Sequence, residues 1–496
     1  MKIISILCFA SLLSLPPVLA ATRQFTEADL MAWSKLNAPG IDEIQTTLLS
    51  SQNEQNLLRE KYAPEIFAQG SYAETQERPI IEFLPVFSPI KTAQLGIRKR
   101  FSHGFDAQLL GTTDQRSAVS PVSGRYNNVT TTILSFTLQM DLWRDLLGRV
   151  SKAENQNAEI ETQKANLEKE IKTRAFQIAL RRIYWSLVAV NEQVKLAEAL
   201  KITAGKQVTD AKKRLQNSIG DAGEVARYEA QLANRSGQVI YFGYQKESYL
   251  KQLKNLLPDL LPDDLVLAPY DMNLAINQVV ECSGIIGQEM NVPYGFTKYD
   301  EVLTLLREVK GNRKIMNDRH SDVDVKFFGT VKSTGIGSDQ LSESSYRGSY
   351  GSAFDDMNNN NRTGYETGIK VVIPLGDAKE LTQKTKTLYD EKLLKSQMDQ
   401  THAMVVSTHT QLSKSMGLIN EVIVNQKVGT IALEKRLQVM RQKYSQARIS
   451  VNDMILDQDA LLTSQLSTID AQLQAVNILF DYLMVFTDTP CGFNRI

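Results

Sequence analysis

FQIALRRIYWSLVAVNEQVKLAEALKITAGKQVTDAKKRL, residues 176–215, sets Phe176, Leu180, Ile183, Leu187, Val190, Val194, Ala197, Ala204, Val208, Ala211 and Leu215 at alternating steps of four and three, interrupted once at Lys201. This is the apolar seam of a coiled coil, each seam side chain inserting between residues of a facing helix. The surrounding stretch from Arg144 to Asn217 holds no proline and glycine only at 148 and 205. The spacing therefore predicts one helix of about 74 residues, or about 110 Å at ~1.5 Å per residue. Such a helix exceeds the globular range and needs a partner along its seam.

That partner follows in the chain. Gly220 and Gly223 break the pattern, and Asp221 with Glu224 reads as a capping box, so the chain turns at 218–223 and returns as a helix over 222–257, stopped by Pro258. The plan then recurs. A proline-free run over 378–446 carries Leu412, Met416, Ile419 and Ile423, then Leu433, Leu437, Met440 and Tyr444, at seam spacing. Ser450 and Asp453 supply a second capping box, and Leu462, Leu466, Ile469, Leu473, Val476, Phe480 and Leu483 mark a return helix over 450–486. The two turns align at an offset of about 230 residues, pairing Ala230 with Ala460, which an internal duplication explains. The expected organisation is a first repeat over 21–257, a proline- and glycine-rich segment over 258–300 packed around the helices, and a second repeat over 301–496.

Strands precede each long helix. Leu134, Phe136, Leu138, Met140 and Leu142 alternate with Ser135, Thr137, Gln139 and Asp141; Tyr365 to Ile373 and Val323 to Val331 alternate likewise, and Ile66 to Tyr72 more weakly. Period two with one apolar and one polar face fits either a half-solvated sheet or an apolar-out membrane barrel. Residues 93–113 read as a hairpin about Ser102-His103-Gly104, with its place in any barrel open. Ser333 to Gly364, including Met357 and Asn358 to Asn361, reads as a long polar loop on the exposed side.

The chain is 496 residues, 42% hydrophobic and 23% charged, with zero formal net charge. It is folded, and no overall field selects nucleic acid. Lys2, the apolar run Ile3–Leu15 and the small residues before Ala21 form a signal-peptide pattern over 1–20, cleaved after Ala20 or Ala21. Cys8 lies inside that run and offers no lipid-attachment junction, which leaves Cys282 and Cys491 as the thiols of an exported chain, able to form one bridge. No later segment is apolar enough for a helical span, so membrane entry requires a barrel. His103, His320, His402 and His409 lack metal spacing, the last two standing seven apart as a surface feature, and no nucleophile constellation or phosphate loop stands out. Neither enzyme activity nor a cofactor is expected.

The signal peptide, strand groups, long–short helix pairs and repeat together resemble the TolC family of outer-membrane channels over nearly all of the mature chain. Tyr62-Ala63-Pro64-Glu65-Ile66 with Gly70 and Tyr72, Asp141 to Arg149, and Val372-Ile373-Pro374-Leu375-Gly376 are similar to the family's strand and helix passages. Arg448 to Ile455 fits its turn well and Ser218 to Val225 loosely, with Asn217 and Ala447 where turn glycines are usual. The resemblance implies a mainly α fold with a small β part: a trimeric α/β barrel, twelve strands in the membrane from three protomers, with coiled-coil helices in the periplasm. It also implies a passive conduit for efflux or type I secretion, served by a periplasmic adaptor and an inner-membrane transporter. Asp453 and Asp457, four apart on one helix, would form carboxylate rings at the narrow end under threefold symmetry; Asp453 also suits a helix cap. Ser218, Ile219, Gly220, Arg448, Ile449 and Ser450 are the candidate adaptor-docking tips. The competing reading is a secreted periplasmic coiled-coil scaffold, which leaves the alternating strands without a role.

Overall fold

The computed structural model describes residues 24–75, 87–118, 128–258, 266–268, 276–279, 281–282, 285, 297–338, 348–360, 362–446 and 448–486. The elements run β1 (Gln24–Phe25), α1 (Glu27–Asn37), α2 (Pro39–Lys61), β2 (Glu65–Ala73), β3 (Phe87–Phe101), β4 (Phe105–Ala118), β5 (Asn128–Asp141), α3 (Arg149–Gln216), α4 (Ala222–Leu256), β6 (Val266–Leu267), α5 (Lys298–Asp318), β7 (Asp324–Ser338), α6 (Tyr350–Asn359), β8 (Thr363–Val372), α7 (Ala378–Ser445) and α8 (Val451–Val485). Two compact units result: Met1–Thr46, Lys169–Tyr299 and Ala403–Ile496 form the first, Thr47–Glu168 and Asp300–His402 the second. The signal peptide and Cys491 lie outside the described residues.

Helix lengths recur between the two halves of the chain. α3 and α7 each span 68 residues, and α4 and α8 each span 35. Each member of the second pair starts 229 residues after its counterpart, so the repeat is one residue shorter than the Ala230–Ala460 alignment suggests.

In the first unit the seam residues form the core. Leu180 and Leu187 of α3, Leu412, Met416, Ile419 and Ile423 of α7, and Val476, Phe480 and Leu483 of α8 are buried together. Tyr184, Trp185, Val188 and Ala189 are buried too, although off the seam, because Phe25, Leu30, Ile276 and Val279 join the same cluster. Phe25 meets Tyr184 edge-on at 6.1 Å. Helix α1, unmarked by periodicity, opens on a reciprocal Thr26–Asp29 capping box. Its buried Glu27 pairs with Arg181, whose guanidinium lies 4.9 Å from the Phe480 ring centroid. Burial pushes the Glu27 carboxyl above its ordinary value, and the Arg181 charge pulls it back. Cys282 is buried in this core and disulfide-bonded.

In the second unit β2-β3-β4-β5-β7-β8 form one antiparallel sheet. The 93–113 hairpin is thus part of the sheet: β3 and β4 stand between β2 and β5, turning at Ser102-His103-Gly104 with Phe101 opposite Phe105. The expected loop over 333–364 is corrected as well. β7 continues to Ser338, and α6 occupies residues 350–359, opened by a Ser349 cap that accepts the Ser352 N–H.

Helix α3 begins at Arg149, later than the expected Arg144. The Asp141 carboxylate accepts the N–H groups of Trp143 and Asp145 at 3.2 and 3.1 Å, holding the chain in a turn. Leu147 and Gly148 then take positive φ, 53° and 75°. Asp145 opens the helix by accepting from Val150 and Ser151 at 2.7 and 3.0 Å. Gly148 is required by contact as well as by φ, since a Cβ there would stand 2.0 Å from the Ser102 carbonyl oxygen at the β3–β4 turn. The inserted hairpin is thereby seated against the strand-to-helix passage.

Candidate functional site

Two features are sites in the physical sense: the sheet, through what its faces present, and the tips of the helical hairpins. Register determines the first. Ile66 pairs with Ile97, Ile97 with Leu109, Leu109 with Phe136, Phe136 with Val331, and Val331 with Tyr365. Opposed residues of an antiparallel pair share a face, so six apolar side chains cross the whole sheet in one row. All six are exposed. One residue along, Glu65, Arg98, Gln108, Thr137, Thr330 and Glu366 form the parallel row on the opposite face. These are polar throughout, with Arg98 bridging Glu65 at 2.6 Å and the Thr137 and Thr330 hydroxyls 2.9 Å apart. Among the described strands, β2 and β8 pair on one side only.

The apolar band has aromatic margins. Phe101 and Phe105 stack at 4.4 Å near the end leading to α3, with exposed Trp143 just beyond, while Tyr72 and Tyr350 are exposed toward the other end.

At the tips, α3 ends in a Schellman arrangement. The Ile219 N–H donates to the Arg214 carbonyl at 2.9 Å and the Ser218 N–H to the Leu215 carbonyl at 3.0 Å, with Ser218 left-handed at φ 57°. Ile219, whose side chain in this motif usually packs back on the helix, is 78% exposed. After α7 the Arg448 N–H reaches the Lys443 carbonyl at 2.9 Å, the same five-residue span. Ser450 then caps α8 with Asp453 in a reciprocal box, the Ser450 N–H donating to the Asp453 carboxylate at 3.1 Å and the Asp453 N–H returning to the Ser450 hydroxyl at 3.2 Å. Hydrogen bonds from the Ser450 hydroxyl and N–H hold the Asp453 carboxyl below its ordinary value.

Asp453 and Asp457 do not present a matched pair of free carboxylates. Asp453 is exposed, whereas Asp457 is buried and takes both nitrogens of an Arg436 fork at 2.8 and 3.2 Å. The i to i+4 spacing was legible; the arginine arriving from α7 was not.

A network that sequence reasoning missed joins the two hairpins behind the tips. Arg214 of α3 donates to the Tyr444 hydroxyl of α7 at 2.9 Å, approaches Glu224 of α4 at 3.3 Å, and lies 5.2 Å from the Tyr444 ring centroid. Tyr444 donates in turn to Glu224. Burial, then the bond to Tyr444, raises the Tyr228 phenol above its ordinary value, and burial followed by the bond to Glu224 does the same for Tyr444. Val208, Ala211, Val225 and Tyr228 pack beneath, with Val451 and Ile455 of α8 against them. The one available signal was Tyr444 itself, a polar-tipped residue at a seam position. His409, expected at the surface, instead meets Phe486 edge-on at 5.8 Å.

No family model matches the sequence, and no curated protein sequence does. Solved structures match over nearly the whole chain. VceC, an outer membrane protein of Vibrio cholerae, gives a TM-score of 0.62 at 12% identity, covering 92% of this chain and 95% of its own. The Campylobacter jejuni CmeC outer membrane channel gives 0.59 at 12%, covering 92% and 84%, and the Neisseria gonorrhoeae MtrE outer membrane channel 0.60 at 11%, covering 92% and 88%. At such identities the likeness carries the fold, and the fold is the one implied by the TolC-family resemblance.

Removing the shared cation should separate the tips. Arg214→Ala is expected to speed hydrogen exchange of the backbone at 208–216 and 440–445 while leaving the core around Trp185 protected; unchanged exchange at both tips would show that the network carries no tip stability.

Proposed function

We propose that the chain is a subunit of an outer-membrane channel, a passive conduit for export that works with a periplasmic adaptor and an inner-membrane transporter in an efflux or type I secretion system. The unbroken apolar row opposed by an unbroken polar row carries this reading. A water-soluble scaffold would expose all six apolar side chains to solvent, at about 25 cal/mol per Å² of apolar area; in a membrane wall the same row faces hydrocarbon and the polar row faces a water-filled lumen. The span fits too. From Lys91, opposite Tyr72, to Phe101 the chain of β3 advances ten steps, about 33 Å at ~3.3 Å per residue and about 25 Å across a membrane at ~40° tilt, the height of an outer-membrane apolar band.

Six strands are too few to close a barrel around an aqueous path, and the single-sided β2 and β8 are the edges at which further copies join. A homotrimer would contribute three sets of six strands, eighteen in all, in place of the twelve that four strands per chain would give. Outer-membrane lipid would surround it.

In this reading the hairpin tips form the regulated end. The Arg214–Tyr444–Glu224 network latches one hairpin to the other, and Asp453, exposed at the start of α8, contributes the carboxylate ring. Asp457 supports that ring from behind, through Arg436. The turn residues, Ser218, Ile219, Arg448 and Ser450 exposed and Gly220 and Ile449 half-buried, offer the adaptor backbone groups and one large exposed apolar side chain, Ile219.

The wall is tested by paired substitutions. The protein should be a detergent-extracted trimer of the outer membrane. Phe136→Lys should abolish its accumulation there, since a lysine on the lipid face costs roughly 2–4 kcal/mol at mid-depth, whereas Thr137→Lys should assemble and shift ion selectivity toward anions. Equal tolerance of both, or a soluble periplasmic protein, would refute the reading. For the gate, Asp453→Ala is expected to weaken block by multivalent cations in planar bilayers, and Asp457→Ala to raise conductance by freeing Arg436; no change in either current trace would remove both from the gate. For docking, Ile219→Cys should form a crosslinked adduct with the adaptor in cells, and its absence at both Ile219 and Ile449 would move the docking site elsewhere.

A further inference from the structure

The channel reading leaves α6 without a role, and its position is unexpected for a segment read as an exposed loop. It rests on the apolar face of the wall. Gly335 stands opposite Thr132, and Thr132 opposite Thr113, two residues along from Leu134 and Gly111 on the same face. A Cβ on Gly335 would lie 1.9 Å from the Ala353 carbonyl oxygen, and one on Gly337 would lie 2.3 Å from the Ser352 hydroxyl. Two alternate glycines of β7 therefore form a backbone seat for this helix, on the side that carries Leu134 and Phe136. Further contacts fix it. The Thr130 hydroxyl donates to the Gly348 carbonyl at 2.9 Å, and Asp356 accepts the Ile336 N–H at 2.8 Å while Arg362 holds its other oxygen at 3.2 Å.

Between α6 and strands β3–β5 lies a groove of about 420 Å³, lined by Leu95, Ile97, Leu109, Leu134, Phe354 and Met357. Its polar neighbours are already satisfied: Thr113 and Thr132 bond each other at 3.2 Å, and Gln115 is engaged by Gly348 and Tyr350 at 3.3 and 3.4 Å. Water would find few partners there, whereas hydrocarbon would lose nothing. One row beyond Ala93, on the same face, exposed Lys91 supplies a positive charge at headgroup level.

We propose that α6 is a membrane-interfacial helix on the lipid side of the wall, and that its groove binds an acyl chain of a membrane phospholipid whose phosphate meets Lys91. This rests on the wall reading, and the test separates the two. Full-length protein carrying Phe354→Trp, Leu138→Trp or Thr137→Trp is reconstituted in phosphatidylethanolamine vesicles with dibrominated acyl chains, and quenching is measured relative to the unsubstituted protein in the same lipid. Leu138→Trp and Phe354→Trp should both lose most of their added emission, and Thr137→Trp should keep it. Adding Gly335→Val to Phe354→Trp should unseat α6 and restore the emission. Quenching at 138 without quenching at 354 overturns the proposal and leaves the wall intact, whether α6 lies in water or another part of the chain fills the groove. No quenching at either position overturns both.

Discussion

Parity along the strands is the constraint on which the second unit depends. Side chains alternate with a period of two, and antiparallel pairing keeps opposed residues on one face, so a slip of one residue at any of the five pairings would move every later strand's apolar set to the polar side. Apart from one register shift between Phe87 and Ile90 at the start of β3, the structure holds parity from Glu65 to Val372. The β3–β4 hairpin does so with a three-residue turn in which Gly104 takes positive φ, and β2 and β8, at the two edges, inherit the alternation. An insertion of two strands can therefore be accommodated where an insertion of one could not. An even number leaves β2 and β8 running in opposite directions, which is the condition for edge-to-edge closure between copies.

The duplicated plan diverges only where parity and helix length are undisturbed. The helices keep 68 and 35 residues in both halves. A seam shared by four helices tolerates no change in one member without displacing its knobs from the facing holes. The additions sit outside that seam: the hairpin enters the first half between β2 and β5, and α6 enters the second half between β7 and β8. The differences at the tips are equally local. Arg436 neutralises Asp457 in one hairpin, while Ser218 holds a left-handed turn position in the other.

What the sequence made legible follows the same division. Seam residues such as Leu187, Met416 and Phe480 were readable because burial in a coiled coil repeats at fixed spacing, and the alternation over Leu134 to Met140 was readable because a strand with two unlike faces must alternate. Tyr184 and Trp185 were not, since their burial depends on Phe25 and Ile276, which lie far from them in the chain. Helix α6 was hidden by composition: Ser, Gly and Asn dominate around it, and its Tyr350, Ala353, Phe354 and Met357 are too short a run to register as a period. The tip network was hidden for another reason. Arg214, Glu224 and Tyr444 come from three helices, and no spacing within one helix encodes a meeting of three.

The tip chemistry also explains why the two aspartates of α8 cannot be equivalent. Asp453 has its carboxylate committed to Ser450, but a cap hydrogen bond leaves the charge facing water. Asp457, one turn deeper, would have to keep an unscreened charge against the α7–α8 interface, and burial of a lone carboxylate is costly enough that a partner is required. Arg436 supplies two nitrogens, so the pair is neutral as a unit. In the proposed channel, the charge that a passing ion would meet is that of Asp453, held in place by its helix cap, while Asp457 and Arg436 tie α8 to α7 behind it. Under that proposal selectivity and mechanical closure would fall to different residues four positions apart, and either could change without the other.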